Sequence, residues 1–221
     1  MKYVSMIIPA YNESGVIEKT IKHAMKTGLV DEIIVVDDGS IDDTLTCAKR
    51  CGVKVLQNEV NQGKSKALIR GLAKATGEII VFLDADLGSS AGEVAQIIKP
   101  VVHGKCDVSI ARFGAAKRKG GFGIVRWVSR WGVKRLCGKY IQSVLSGQRA
   151  FKRDVLKEIK MGSGYGAEVA MTIDILRKGY HIEEYDVEMT HKETGRDLAG
   201  FLHRARQFKD IVKVLIVSYK Q

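Results

Sequence analysis

The sequence lacks several features that mark special classes of protein. Only two of its 221 residues are proline, 7% are aromatic, and no apolar run reaches the roughly 18 residues that a membrane-spanning helix needs. No secretory leader is recognisable, because Met1 runs directly into a strand-like segment. The cysteines lack the spacing and histidine partners of a zinc site, and we expect four reduced thiols: Cys47, Cys51, Cys106 and Cys137. These absences predict a globular cytoplasmic protein.

Acidic residues are missing from one long stretch. None occurs between Asp107 and Asp154, whereas twelve lysines and arginines do, and the net charge of the chain is +11. The basic character therefore belongs mainly to one region, which favours an acidic partner: nucleic acid, anionic lipid or a phosphorylated substrate.

Short apolar segments alternate with helical patterns along the chain. In the first half the predicted strands are Val4–Ile8, Glu32–Val36, Lys54–Gln57 and Glu78–Leu83, and the predicted helices are Val16–Met25, Thr44–Cys51 and Lys64–Ala75. The alternation continues more loosely to a last helix at Phe201–Tyr219, with a loop expected at Ala115–Gly123. This order predicts a single α/β domain over 1–221, with a mostly parallel central sheet and helices on both faces.

Polar clusters follow three of the predicted strands, at Pro9–Glu13, Asp37–Ser40 and Asp84–Asp86. In open parallel sheets, ligands bind beyond the carboxyl ends of the strands. Three such clusters in one half of the chain predict a shared site.

Asp84 and Asp86 point the same way if the chain is extended there. Two carboxylates so close repel each other unless a cation neutralises them, and their hard oxygens suit Mg²⁺ or Mn²⁺ bound to substrate phosphates. Asp38 is a candidate acceptor for a base or ribose, although it also fits the cap of the next helix. Lys64, after Gly63 at a helix start, suits a phosphate or an electron-rich base.

Four motifs in order carry a resemblance over roughly residues 4–90: Ile-Ile-Pro-Ala-Tyr-Asn-Glu, Val-Val-Asp-Asp-Gly-Ser-x-Asp-x-Thr, Asn-x-Gly-Lys and Phe-Leu-Asp-Ala-Asp. Together they closely resemble family 2 glycosyltransferases with the A-type fold. The resemblance implies a metal-dependent hexosyltransferase using a nucleotide-sugar donor, with 1–90 as nucleotide-binding half and 91–221 as acceptor-binding half. The implied nucleotide contacts are Pro9, Ala10, Tyr11, Glu13, Asp38, Gly39, Lys64, Asp84 and Ala85, with Asp84 and Asp86 on Mg²⁺ or Mn²⁺ and Asp86 catalytic.

The second half resembles two groups within that family. Ser146–Phe151 is similar to a segment of polyprenyl-phosphate sugar synthases, and Gly164–Val169 to one of glucosyl-3-phosphoglycerate synthases. This likeness implies that Gly147, Gln148, Arg149 and Arg196 contact the acceptor or donor sugar, that Glu168 and Arg149 assist catalysis, and that His191 joins the metal. It favours a UDP-sugar over a GDP-sugar, and a polyprenyl phosphate or a small phospho-acid such as 3-phosphoglycerate as acceptor.

The basic stretch leaves several alternatives open. Trp127, Trp131 and an arginine stripe predict either a helix resting on the inner face of an anionic membrane, or cations that collect a small phosphorylated acceptor, or a solvated face with both tryptophans in the core. A nucleic-acid-binding protein using 112–153 and a non-catalytic scaffold are rival classes. The three acidic clusters argue against nucleic acid. A homodimer is a further arrangement that the sequence allows.

Overall fold

The computed structural model describes residues 2–114, 123–162, 164–190 and 198–219. Within them, seven strands form one sheet in the order β3-β2-β1-β4-β6-β5-β7. The strands are β1 Val4–Ala10, β2 Glu32–Asp37, β3 Lys54–Gln57, β4 Ile79–Phe82, β5 Val108–Phe113, β6 Arg149–Lys152 and β7 Ile182–Val187. The helices are α1 Ile17–Met25, α2 Thr44–Arg50, α3 Lys64–Leu72, α4 Ala95–Val102, α5 Ile124–Cys137, α6 Arg153–Glu158, α7 Ala167–Arg177 and α8 Leu198–Tyr219. The predicted α/β class and mostly parallel sheet are confirmed.

The sheet is buried on both faces. Alternate residues of the central strands point to opposite sides, so that Met6 and Ile8 join one apolar cluster and Ile7 joins the other. Helices α1, α2 and α4 contribute to the first cluster, and α3, α5, α6, α7 and α8 to the second. Burial on both faces explains why β1, β2 and β4 read as continuous apolar runs rather than as alternating patterns.

Strand β6 runs against its neighbours. It pairs antiparallel with β4 and with β5, whereas the other strand pairs are parallel. As a result, β6 begins at the edge of the sheet where β4 and β5 end. The segment before β6 and the segment after β4 therefore meet, although they are far apart in sequence.

The chain after β4 forms a 3₁₀ run. This run covers Ala85–Val94, and α4 begins directly after it at Ala95. The buried hydroxyl of Thr20 in α1 fixes this run: it donates to the Ala85 carbonyl at 2.7 Å and accepts from the Gly88 amide at 2.8 Å. Thr20 thereby holds the backbone on either side of Asp86.

The tryptophans of α5 correct one of the alternatives above. Trp127 and Trp131 are 64% and 55% exposed, so the interpretation that placed them in the core is wrong. Helix α5 packs instead through Ser129, Gly132 and Val133, which lie on its other side. The loop expected at Ala115–Gly123 falls, except for Gly123, outside the described residues. Among the described helices, none is long and apolar enough to cross a membrane.

Candidate active site

The predicted polar clusters meet at one edge of the sheet. Ala10 pairs with Asp37 at the ends of β1 and β2, and the segments that follow are bonded together. The Asn12 amide donates to Ser40 Oγ at 3.0 Å, and its side-chain oxygen accepts from the Ile41 amide at 3.0 Å. Asn12 adopts a φ of 55°, a conformation that asparagine tolerates better than most residues. The first two clusters thus form one bonded unit.

Asp38 holds the loop before α3. Its Oδ1 accepts from Asn58 Nδ2 at 2.6 Å and from the Gln62 amide at 3.0 Å, and its Oδ2 accepts from the Gly63 amide at 2.7 Å. The side chain is buried and both oxygens are engaged by the chain itself. Asp38 therefore shapes the wall of the site, a function that neither the capping nor the nucleotide interpretation included.

Two side chains contact the Asp84 carboxylate, one at each oxygen. Lys64 Nζ lies 2.5 Å from its Oδ1, and Gln148 Nε2 donates to its Oδ2 at 2.5 Å. Lys64 is the first residue of α3, Asp84 follows β4, and Gln148 precedes β6. This cluster, which we call the Asp84 clamp, joins the start of α3 and the end of β4 to the segment before β6.

Gly147 makes the clamp possible. A Cβ built on this residue would lie 2.5 Å from Lys64 Nζ and 3.6 Å from Asp84 Oδ1. A side chain here would displace the lysine, so the glycine is required for close approach rather than for backbone freedom. Gly39 likewise allows a close approach, here to the loop before α3. A Cβ on Gly39 would lie 2.7 Å from the Val60 carbonyl carbon, and its φ of +73° also favours glycine.

The electrostatics of the cluster are strongly negative. Burial acts to lower the pKa of Lys64, but the Asp84, Glu168 and Asp86 carboxylates outweigh it, and the pKa is raised above its usual value. Glu168, in the first turn of α7, is therefore within electrostatic range of Lys64. The structure brings together Asp84, Asp86, Lys64, Gln148 and Glu168, as expected for a site that receives cations.

Arg149, which is predicted to contact a sugar, is buried inside the fold. It is 1% exposed, and its guanidinium donates to the carbonyls of Ser146 at 2.8 Å and Val144 at 2.6 Å, and to Thr172 Oγ1 at 3.0 Å. A fourth bond, at 3.3 Å, reaches the Glu168 carbonyl. Burial lowers its pKa to about 10, so it remains charged at neutral pH. Because its donors are used inside the fold, Arg149 positions the segment before β6 and the start of α7.

Glu184 was not anticipated from the sequence. From β7 it accepts hydrogen bonds from the amides of Gln142 at 2.8 Å and Ser143 at 2.5 Å. These bonds fix the segment that leads to Gly147 and Gln148. An isolated glutamate in a strand gives no sequence signal for such a contact, because its partners are backbone amides about forty residues away.

The remaining predicted residues are distributed as follows. Pro9, Ala10 and Ala85 lie at the ends of β1 and β4, and Tyr11 is 45% exposed beside them. The Glu13 amide donates to Thr44 Oγ1 at 2.7 Å, which ties this segment to α2. His191 and Arg196 lie outside the described residues, so their predicted contacts remain predictions. Within the described residues, no group of three or more histidine, cysteine, aspartate or glutamate side chains is arranged for a metal.

A sheet of this order, with two aspartates after a central strand and a lysine against the first, is the arrangement of the A-type glycosyltransferase fold. The family model of glycosyl transferase family 2 matches residues 5–160. The chain belongs to this family, which favours a transferase over the scaffold and nucleic-acid alternatives.

Known relatives agree with this class. A glucosyl-3-phosphoglycerate synthase of Mycobacterium tuberculosis is 34% identical over 196 residues, covering 77% of this chain but only 60% of that protein. A dolichol-phosphate mannosyltransferase of Pyrococcus furiosus is 30% identical, covering 85% of this chain and 56% of that protein. A crystal structure of the mycobacterial synthase with Mn²⁺, UDP and phosphoglyceric acid superposes with a TM-score of 0.83 at 27% identity, covering 98% of this chain and 78% of that one. Another contains Mg²⁺ and UDP.

Proposed function

We propose that this protein transfers a hexose from a nucleotide-sugar, with a UDP-sugar preferred to a GDP-sugar, to a phosphorylated acceptor. The observation that carries the proposal is the Asp84 clamp, which sets a carboxylate pair, a lysine and a glutamate at the ligand-binding edge of the sheet. Structures of the mycobacterial relative with UDP and Mn²⁺ or Mg²⁺ support a uridine donor and a divalent cation.

The donor set fits Mg²⁺ or Mn²⁺. These cations commonly use one or two protein carboxylates and take their other ligands from water and substrate phosphates. Asp84 and Asp86 would supply the carboxylates, with His191 as a proposed third ligand. A cation held there would neutralise the negative charge that develops on the leaving diphosphate.

The chain's own groups would bind and orient the substrates. Lys64 would move from Asp84 to the diphosphate. The carboxylates that now hold the ammonium would be neutralised by a bound cation, and the lysine would then be able to pair with the phosphate oxygens. The wall held by Asp38 would receive the base. Glu168 would orient a sugar hydroxyl, or accept the proton of a hydroxyl acceptor, whereas a phosphate acceptor is already a nucleophile and would need no base.

Two relatives support a phosphorylated acceptor. One is named for phosphoglycerate and the other for dolichol phosphate. The shared chemistry is an acceptor phosphate, and it matches the acid-free basic stretch between Asp107 and Asp154. The acceptor is therefore proposed to be a polyprenyl phosphate or a small phospho-acid.

The test is ligand-induced thermal stabilisation, followed by transfer assays. UDP with Mn²⁺ should raise the melting temperature more than either ligand alone, and Asp86→Ala should remove this metal-dependent gain and abolish turnover. Asp154→Ala is the matched control, because Asp154 lies in an exposed ion pair with Lys157 in α6. Unchanged turnover in Asp86→Ala would refute the metal assignment, and no stabilisation by any nucleotide would refute the donor.

A further inference from the structure

Helix α5 turns an apolar ridge toward solvent. Trp127 and Trp131 stack on each other, with ring centroids 6.2 Å apart and an angle of 14° between the planes. Ile124, one turn before Trp127, is 54% exposed. At 3.6 residues per turn these three side chains lie on one strip of the helix, opposite the packed face of Ser129, Gly132 and Val133. We call Ile124, Trp127 and Trp131 the tryptophan ridge.

Cations border the ridge on both sides. At 100° per residue, Lys134 falls along one side of the ridge and Arg135 along the other, whereas Arg130 falls about a quarter turn away and Arg126 further round the helix. Arg126, Lys134 and Arg135 are exposed, and Arg130 is half-buried. With no acidic residue between Asp107 and Asp154, these charges lack a counter-ion from their own segment.

Helix α8, which packs on α5, carries further exposed apolar side chains. Its Leu215 lies against Gly132 of α5, where a Cβ on the glycine would approach the leucine side chain to 2.5 Å. Next to this contact in sequence, Ile216 and Val217 are about half exposed, and Tyr219 is 70% exposed. Two neighbouring helices thus present large apolar side chains to water beside a cationic strip.

We propose that the tryptophan ridge and its cations bind the surface of an anionic lipid bilayer. Tryptophan prefers the interfacial zone of a membrane, and lysine or arginine beside it attracts anionic headgroups. A second copy of this chain is the less suitable occupant, because a two-fold contact through the ridge would bring the two cationic strips together. The inference goes beyond the transfer reaction and does not depend on it.

The tryptophan ridge lies on the same side of the molecule as the candidate active site. Strands β4 and β5 end at the same edge of the sheet, since each is antiparallel to β6. Just after the end of α5, Lys139 Nζ donates at 2.8 Å to the carbonyl of Ile182, which pairs with Val108 at the start of β5, so the first turn of α5 lies toward the edge with the Asp84 clamp. A bilayer on the ridge would therefore lie beside the candidate active site.

The two ridge tryptophans are the only tryptophans in the sequence, so tryptophan emission, excited at a wavelength that tyrosine does not absorb, reports on this surface alone. The experiment adds vesicles of phosphatidylcholine, with or without phosphatidylglycerol, to the full chain. With the anionic vesicles we expect a blue shift of the emission and quenching by brominated acyl chains; with phosphatidylcholine alone we expect neither.

Variants measured by co-sedimentation with vesicles distinguish the contribution of the cations to binding from that of the tryptophans. Lys134→Gln with Arg135→Gln should weaken vesicle binding about 25-fold, since each cation near an anionic surface contributes about a factor of 5. Lys22→Gln with Lys26→Gln, the same charge change on the other face of the sheet, should leave binding unchanged. Trp127→Ala with Trp131→Ala should weaken binding at least as much as the cation pair.

Three results would overturn the proposal. One is the absence of a blue shift and of bromolipid quenching with anionic vesicles. Another is a blue shift that depends on protein concentration without lipid, accompanied by dimers in sedimentation, which would assign the ridge to a second copy. The third is a shift with random oligonucleotides but not with vesicles. Because these vesicles contain no acceptor lipid, none of these results bears on nucleotide binding or transfer.

Discussion

Gly147 is the residue on which the geometry of the Asp84 clamp depends most directly. Gly147→Ala would place a methyl group 2.5 Å from the present position of Lys64 Nζ, so the ammonium must move away from Asp84. Misplacing a catalytic group by about 1 Å can cost about 10²-fold in rate, and we expect a loss of kcat/KM of that order. Steady-state kinetics with UDP-sugar and Mn²⁺ would measure it.

Gly114→Ala is the control for this substitution. Gly114 has open space around its Cβ position and no left-handed φ, so an alanine there meets nothing. Its kinetics should match those of the unaltered protein. If Gly147→Ala also kept full activity, the position of the Lys64 ammonium beside Gly147 would not matter for catalysis.

A substitution of Arg149 distinguishes a role in stabilising the fold from a role in catalysis. Arg149→Met removes the donors that satisfy the carbonyls of Val144 and Ser146 in the interior. Buried acceptors left unpaired cost about 1–3 kcal/mol each, so we expect a loss of about 3 kcal/mol in the free energy of unfolding, measured by urea denaturation. Arg50→Met, on the exposed end of α2, should change it by less than about 0.5 kcal/mol.

The same experiment tests the earlier hypothesis about this arginine. Below its melting temperature, the folded Arg149→Met protein should still bind UDP with Mn²⁺. Normal stability combined with lost turnover would restore the interpretation that Arg149 contacts a sugar.

Single side chains show where sequence reasoning succeeds and where it stops. The meeting of Asp84, Asp86 and Lys64 at one edge of the sheet was predictable, because charged residues directly after a buried strand or at a helix start have few structural uses. Thr20 and Glu184 were not, since each acts on backbone groups brought close only by the tertiary fold. The sugar contact of Arg149 stays a prediction, and its burial, which the sequence does not reveal, assigns its donors to the interior of the fold.

Among the elements, β7 supports the loop that carries Gln148. Glu184→Ala would leave the amides of Gln142 and Ser143 without their carboxylate acceptors. We expect faster hydrogen exchange at these two amides and a drop of about tenfold in kcat/KM, because the loop that orients Gln148 is loosened. Hydrogen-exchange measurement on the full chain provides the first readout.

Glu188→Ala, on the exposed segment just after β7, is the matched control and should change neither quantity. Unaltered exchange at Gln142 and Ser143 in Glu184→Ala would show that the loop is held by other contacts.

Elements with strong periodicity were predicted closely, whereas those that depend on neighbours were not. Lys54–Gln57 has the bounds expected from its sequence, and α1 differs by one residue. The 3₁₀ run over Ala85–Val94 was missed because a buried hydroxyl on another helix decides it. The direction of β6 was also missed, since four apolar and basic residues carry no sign of whether their partners run parallel.

Considered as a whole, the molecule has one sheet that is built from both halves of the sequence. Strand β4 of the first half is covered by β6 of the second, and Phe82 lies against Phe151 with ring centroids 5.0 Å apart. We therefore expect a fragment of residues 1–102 not to fold cooperatively, because β4 would become an exposed apolar edge. Far-UV circular dichroism during urea titration would measure this.

The full chain is the reference for this measurement and should unfold in a single transition. A soluble fragment with its own cooperative transition would instead make the nucleotide-binding half an autonomous domain.

The position of β6 beside β4 also determines when β4 can be paired during synthesis of the chain. Ile79 of β4 pairs with Lys152 of β6, so the ribosome must add about 70 residues before the central strand can be covered. At 5–20 residues per second this interval is roughly 4–14 s, long compared with the collapse of a chain of this size. During that interval the nascent chain presents a half-built sheet with an open apolar edge. Production of this protein should therefore be sensitive to chaperone supply and to translation speed between β4 and β6.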